Sequence, residues 1–332
     1  MAIVANTLQT TAARGNRESL SNVVTLVTQK MCPLLTLIGK EKVTNTYHSW
    51  MINSIRAPGS NVQVEGDQFT FNAIAAKVRP GNQSHIMRES WIVSRSQNQT
   101  SNPGGVEQTK QARVDAGVAL RKDRELSFLS NVASVGGTSR IAGGLPSWLT
   151  TNVSRGATGV NGGFNTGTSL TVAATIGTQR AFTKALLDTT LQSCFQNGAN
   201  VNIVMLSPYV KSVFVTFMSD TNVAQSWTTR EAGNRKIVGD VSGYLGPNGD
   251  VDIINNPQMA ASGTTPELVA RNVFLLDSDL LAMGSYAELQ DGEVTPNADA
   301  EAGVILEEAT LIVKNQAGLG VVADVFGMSA VL

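Results

Sequence analysis

The 332-residue sequence predicts an α+β chain, in which β segments flank one long helix and one compact α/β unit. Three observations predict this. Val106 to Ala133 keeps a helical apolar rhythm without a single Pro. The stretches on either side of it alternate apolar and polar residues with the period of two that suits strands. Residues 175–270 then switch repeatedly between helix-like and strand-like runs.

The long helix organises the rest. Ala112, Ala116, Ala119, Leu120, Leu126, Leu129 and Ala133 recur at steps of mostly three, four or seven and form one stripe. Gly117 is the one glycine inside. Glu107 falls in the first turn, where the helix dipole favours an anion. Pro103-Gly104-Gly105 precedes the helix, and Gly136-Gly137 follows it. At ~1.5 Å per residue the helix is about 40 Å long, a strut that spans a whole domain. Its small residues let a sheet approach closely, and the strands near the C-terminal end are the expected partners. The charged run Arg121-Lys122-Asp123-Arg124-Glu125 reads as a solvated face with internal pairing.

Residues 1–45 read as an arm. They are polar as far as Asn22, and a short apolar stretch follows from Val23 to Ile38. Such an arm docks on something else, often a neighbouring subunit. Residues 46–97 read as a two-stranded β projection. Val62 and Val64 lie on one side of a turn at Glu65-Gly66-Asp67, Phe69 and Phe71 lie on the other, and Ile86 to Val93 returns as a strand. A two-stranded ribbon cannot bury its own faces and needs a partner surface. Lys77 within it reads as a solvated hairpin lysine.

Residues 134–170 form a long glycine-rich loop with one ordered island, Ile141 to Leu149. A helix is expected over 179–197, with Phe182, Leu186, Leu187, Leu191, Cys194 and Phe195 on its apolar side and Gly198 ending it. Val201–Leu206 reads as a buried strand, and Pro208 starts a third helix. Strands follow over Lys236–Ile254 (interrupted by a turn), Asn272–Asp277, Leu280–Met283, Ala287–Thr295, Val304–Lys314 and Val321–Phe326. Three of these parts, the arm, the projection and the glycine-rich loop, cannot bury themselves. Neighbouring molecules must complete such a chain.

Composition narrows the function classes. Charged residues make up 15% and nearly cancel, to −1, so the basic excess of a nucleic-acid reader is missing. No apolar run is long enough for a membrane span. The N-terminus lacks a basic region followed by an apolar core, so no secretory signal is expected. Cys32 and Cys194 sit in apolar surroundings and read as buried free thiols, and His48 and His85 read as structural residues. Glu307-Glu308 and Asp299–Glu301 read as surface charge. No zinc-ligand spacing, phosphate-binding loop or nucleophile elbow appears. The expectation is a protein that is not an enzyme and uses no cofactor or metal.

Five stretches together carry a resemblance. They are Tyr47-His-Ser-Trp50; Asn82-Gln-Ser-His-Ile86 with Ser94-Arg-Ser-Gln97; Leu120-Arg-Lys-Asp-Arg-Glu125 running on to Ala142-Gly-Gly-Leu-Pro-Ser-Trp148-Leu-Thr-Thr-Asn152; Ala185-Leu-Leu187 with Asn197-Gly198 and VNIVMLSP; and the tail around Val313-Lys314-Asn315 and Val321 to Asp324. In order and spacing they resemble the major capsid proteins of tailed bacteriophages with the Hong Kong 97 fold, in a podovirus-type branch. The resemblance covers nearly the whole chain from about residue 45. It implies an N-terminal arm over 1–45, an extended loop over 46–97 lying on the adjacent subunit, and a peripheral domain over 98–174 with 106–133 as spine helix. It further implies an axial domain over 175–270 and closing strands over 271–332.

It also implies hexamers and pentamers closing an icosahedral shell around double-stranded DNA in a virion, from chains made in the bacterial cytoplasm. DNA contact is expected to be weak and non-specific, because clustered cations are missing. A portal protein and decoration proteins are implied partners. About a hundred residues precede the spine, and arm and loop use them all, so a separate scaffolding protein is expected. Subunit contacts are expected at Trp50, Val62, Val64, Phe69, Phe71, Arg121 and Arg124. No matched Lys and Asn beside a catalytic acid is evident, so the family's covalent crosslink is not carried over. An encapsulin-like nanocompartment shell enclosing protein cargo is the alternative.

Overall fold

A computed structural model describes residues 28–69, 71–100, 107–218, 242–247, 249–261, 269–295 and 299–325. In chain order it contains α1 (Pro33–Leu37), β1 (Gly39–Lys42), β2 (Tyr47–Ser49), β3 (Gly81–Gln83), β4 (His85–Ser94), α2 (Arg95–Gln99) and α3 (Gln108–Leu129). Then come β5 (Asn152–Ser154), β6 (Gly163–Asn165), β7 (Leu170–Val172), α4 (Lys184–Gln196), β8 (Ile203–Leu206), α5 (Pro208–Met218), β9 (Gly243–Gly246) and β10 (Gly249–Asn255). β11 (Val273–Leu276), β12 (Leu281–Val294), β13 (Ala300–Val313) and β14 (Gly320–Val322) complete the described chain.

α3 is the expected long helix with different ends. Val106 lies outside the described residues, and Glu107 is the N-cap residue, paired with Lys110 at 3.0 Å. The helix stops at Leu129, four residues short of Ala133. Local competition explains the early stop. The Ser130 hydroxyl donates to the Leu126 carbonyl at 2.7 Å. The Asn131 amide both donates to and accepts from the main chain of Ala174, at 2.6 and 2.9 Å. Side chains at the end of the helix thereby bond the helix carbonyl and a separate segment in place of a further helical turn.

α3 packs on a four-stranded sheet of order β1-β12-β13-β4. β12 and β13 form a long antiparallel hairpin, β4 adds antiparallel to β13, and β1 adds parallel to β12. On the helix side Met87, Trp91 and Ile305 meet Ala116 and Leu120. The helix therefore rests on the strands near the C-terminal end, as its small-residue stripe suggested.

The second sheet is six-stranded and mixed, in the order β5-β14-β11-β8-β10-β9. Its central strands are buried on both faces, which is why VNIVML reads as an unbroken apolar run. Ile203, Met205, Phe274 and Val321 face the α3 side, in one core with Phe128, Leu145, Trp148 and Leu311. Val204, Leu206, Val273, Leu275 and Val322 face α4 and α5 in the other, with Leu187, Leu191, Val210 and Phe214. Gly198 ends α4 at φ 82°, its N–H bonded to the Phe195 carbonyl at 3.0 Å. Phe195, expected on the apolar side of α4, is exposed, because it sits on the flank that α4 turns away from the sheet. Of the strand expected over Lys236–Ile254, residues 236–241 lie outside the described residues. The expected strand end at Phe326 also lies outside them.

Two expectations change. Residues 1–27 of the arm lie outside the described residues, but 33–42 dock on their own chain. Leu34 and Ile38 enter the main core, and β1 joins the four-stranded sheet. Between Ile52 and Val78, which bridge each other, no strand occurs among the described residues. The alternation around Val62 and Phe71 finds no second strand among the described residues with which to form a ladder, while β4, the return strand, pairs with β13 instead. The turn at Glu65-Gly66 is present, with Gly66 at φ 84°.

Candidate assembly surface

The loop between Ile52 and Val78 is anchored at its base. Trp50 N–H donates to the Pro80 carbonyl at 3.0 Å, and Ile52 and Val78 exchange main-chain bonds at 2.8 and 3.0 Å. Asn82 fixes the next strand to the core: its amide donates to the carbonyls of Gly143 and Leu311 at 3.1 and 2.8 Å and accepts from Gly143 N–H at 2.8 Å. Beyond this base the loop turns its apolar side chains to water. Ile55, Val62, Val64, Phe69, Phe71 and Ile74 are between 81% and 97% exposed. Such a cluster is a candidate contact surface.

A second apolar surface lies on the four-stranded sheet, on the face away from α3. Ile92, Ala302 and Val294 form one cross-strand row, and Leu306 lies opposite Arg88 and Gln290 in another. Ile86, Ile92, Val294 and Leu306 are all exposed. The period-two pattern of β4 makes this face visible in the sequence, but attention to the helix-facing residues alone misses it.

The remaining sequence-predicted contact residues separate. Trp50 is half-buried and packs within its own subunit at a tilt, 5.4 Å from Trp148, which is itself stacked on Phe164 at 5.7 Å. Arg121 is exposed and reaches the Thr36 hydroxyl at 3.3 Å. Arg124 is 2% exposed and forms an ion pair with Glu307 beneath α3, so it belongs to the subunit interior. Burial pushes the Arg124 pKa down and Glu307 opposes the shift.

The solvated-face reading of the 121–125 run is thus corrected at its last two positions, since Glu125 is fully buried as well. The surface-charge reading of Glu307-Glu308 is corrected too. Glu308 accepts from Arg140 at 2.7 Å and from the Ser84 hydroxyl at 2.5 Å. Once α3 lies across β13, charges on its lower face must pair across the sheet, because unpaired burial is costly. Arg113 with Asp291 makes a further link between helix and sheet.

His85 lies under the same helix. Its Nε2 is 3.4 Å from the Ser127 hydroxyl, and its ring meets Phe128 edge-on. Burial lowers its pKa to about 4, helped by Arg124 and opposed by Glu308. The unfolded chain therefore binds a proton on His85 near pH 6.5 that the fold excludes until about pH 4. Stability from this group is complete above about 6.5 and is lost as pH falls toward 4. Between pH 7 and 4.5 the unfolding midpoint should drop more steeply for the natural chain than for His85→Leu, as followed by urea denaturation; equal slopes would contradict the assignment.

Both cysteines are buried and free, and burial pushes the Cys194 thiol up to about 12. Among the described residues, no three His, Cys, Asp or Glu side chains cluster as metal ligands, and no helix is long and apolar enough to cross a membrane.

Comparison with known proteins places this geometry. The model of the family described as SU10 major capsid protein matches residues 5–326. The chain is 26% identical, over 120 residues, to a major capsid protein of Escherichia phage Phieco32; the match covers 36% of this chain and about a third, 34%, of that relative's length. Among solved structures, it resembles a chain from Gordonia phage Cozz at TM-score 0.60 and 14% identity, over 98% of this chain and 97% of the other. The capsid of Cyanophage P-SCSP1u gives 0.54 and 11%, over 94% and 93%. The holo-SrpI encapsulin complex from Synechococcus elongatus gives 0.57 and 13%, over 98% of each. At these identities the likeness is one of fold, and the fold is the α+β Hong Kong 97 type.

Proposed function

The chain belongs to the SU10 major capsid protein family, whose model spans residues 5–326, and on that footing we propose that it is the shell-forming subunit of a phage head, assembling as hexamers and pentamers into a closed icosahedral shell around double-stranded DNA. The observation that carries this is the exposed apolar loop between Ile52 and Val78. The loop of a free subunit stands in water, and association with another copy covers it. We assign the contact to Val62, Val64, Phe69 and Phe71 from the loop of one copy. The exposed sheet face around Ile86, Ile92, Val294 and Leu306 on the next copy offers a matching apolar surface. A contact between two different patches of one chain is heterologous, and rotation closes such contacts into rings.

The resemblance supports the remaining partners: a separate scaffolding protein, a portal and decoration proteins, with synthesis in the host cytoplasm. A net charge of −1 supports weak, non-specific contact with packaged DNA. Encapsulins share the fold, but the family and the curated relative favour a phage shell over an enzyme-filled compartment.

Electron microscopy of the chain expressed with its candidate scaffold tests the reading. Closed shells built of hexamers and pentamers, larger in number with the scaffold than without it, are the expected outcome. A monodisperse monomer or dimer under every condition would sink it.

A further inference from the structure

Glu125 is fully buried on α3, yet its hydrogen-bonding partners include no cation. Its carboxylate accepts from the main-chain N–H of Leu34 at 2.8 Å and of Leu35 at 2.9 Å, the first turn of α1. α1 has Pro at its start and no capping side chain of its own, so a residue some ninety positions away supplies the cap. The same carboxylate accepts from the Asn256 amide at 2.7 Å. Asn256 follows β10 and opens the turn Pro257–Ala261. Its side-chain Oδ1 accepts from Gln258 N–H at 3.0 Å, and the Gln258 side-chain amide donates back to the Met31 carbonyl at 3.0 Å.

These bonds form a closed ring. It runs from the long helix to the arm, from the arm to Gln258, through Asn256, and back to Glu125. Leu34 fills the core beside it, in the cluster that also holds Met259 and Phe128. Arg124, the neighbour on the helix, is committed elsewhere, to Glu307, and Arg121 is turned to Thr36. Losing any one segment strips a buried carboxylate of donors it cannot replace from the other two, and an under-bonded buried carboxylate is costly.

We propose that Glu125 couples three parts of the subunit, so that docking of the arm segment and packing of the Pro257–Ala261 turn against the long helix are one event. Drawing the arm away loosens the turn at the foot of the six-stranded sheet, and loosening the turn frees the arm. Such coupling is reciprocal by thermodynamic necessity. In a shell, which rests on the function proposed above, a neighbour that draws the arm off this site also changes how the two sheet units of that subunit meet.

Hydrogen exchange on the dissociated subunit tests the coupling without requiring a shell. In Glu125→Ala, amides of 29–38 and of 256–261 should exchange at least tenfold faster together, while β11 and the centre of β13 keep their protection. Two one-sided variants test reciprocity, and they decide the matter if Glu125→Ala fails to fold. Thr36→Gly loosens α1 at an exposed position whose hydroxyl bonds to Cys32 and Arg121, and it should speed exchange at 256–261. Pro257→Gly loosens the turn through its backbone and should speed exchange at 33–35. Faster exchange confined to the mutated segment in either one-sided variant overturns the proposal, as does a uniform rise across the whole chain.

Discussion

Replacing Phe69 and Phe71 together by Asp leaves a folded subunit that no longer assembles. The two rings are 90% and 96% exposed, so the isolated fold does not depend on them. Exposed substitutions away from caps and packed contacts usually move stability by less than ~0.5 kcal/mol. In a shell the same rings are the largest apolar groups of the loop. Fully burying a Phe contributes on the order of 1.5–3 kcal/mol, so losing two removes about 3–6 kcal/mol from every loop contact. That is roughly a hundred- to ten-thousand-fold in each association constant, before the cost of burying two carboxylates. Because the contact recurs at every subunit, the shell concentrates the effect. Light scattering and electron microscopy should find soluble subunits with an unchanged unfolding midpoint and no shells. Variant shells forming at the natural chain's concentration would remove these residues from the interface.

Truncating Arg124 gives the largest expected loss of fold stability. Arg124→Ala leaves Glu307, 13% exposed at its side chain, without its partner beneath α3. Breaking a buried pair from one side costs on the order of 3–5 kcal/mol, a large share of a domain's net stability. The double replacement Arg124→Met with Glu307→Leu should recover most of that loss. It can even exceed the natural chain, because Arg124 Nε and Nη2 find no hydrogen-bond partner among the described residues, so the pair is imperfectly satisfied there. The exposed pair Arg95–Asp299 supplies the control: removing Arg95 should cost less than ~1 kcal/mol. Urea denaturation of the three variants distinguishes the cases. A single variant as mild as the control would mean that water reaches Glu307.

Much of the architecture was legible because strong periodicity survives packing. The long helix, the buried strand at Val204, the turn at Gly66 and the helix stop at Gly198 all follow local rules. The errors have a common cause. A charged run on a helix predicts a solvated face at 124 and 125, and surface charge at 307 and 308, because nothing local announces that a strand with matching charges crosses beneath. Glu307-Glu308 directly before the apolar stretch of β13 is the available signal, since Ala309 to Val313 are buried and leave little solvent beside them. The loop residues Val62 to Phe71 alternate like strands but pair with none of the described strands, since period two records which face is apolar and not whether a partner exists. The apolar sheet face around Ile92 is written in the alternation of β4, yet its exposure depends on α3 covering the opposite side alone.

The placement of β14 has a consequence for how the chain is made. It lies inside the six-stranded sheet, between β5 and β11, although β5 precedes it by most of the second half of the sequence. The chain leaves that sheet after β11, builds the β12–β13 hairpin in the other sheet, and only then returns. A ribosome must therefore deliver every element from α4 to β13 before β5 acquires its neighbour. Pairings this distant in sequence form slowly and late. An interrupted translation product has an unpaired β5, an open edge on β11 and no finished core between the two units. Synthesis order thus withholds the completed subunit until nearly all of its strands exist, which keeps partial chains from entering an ordered lattice in which one defective member would disturb its neighbours.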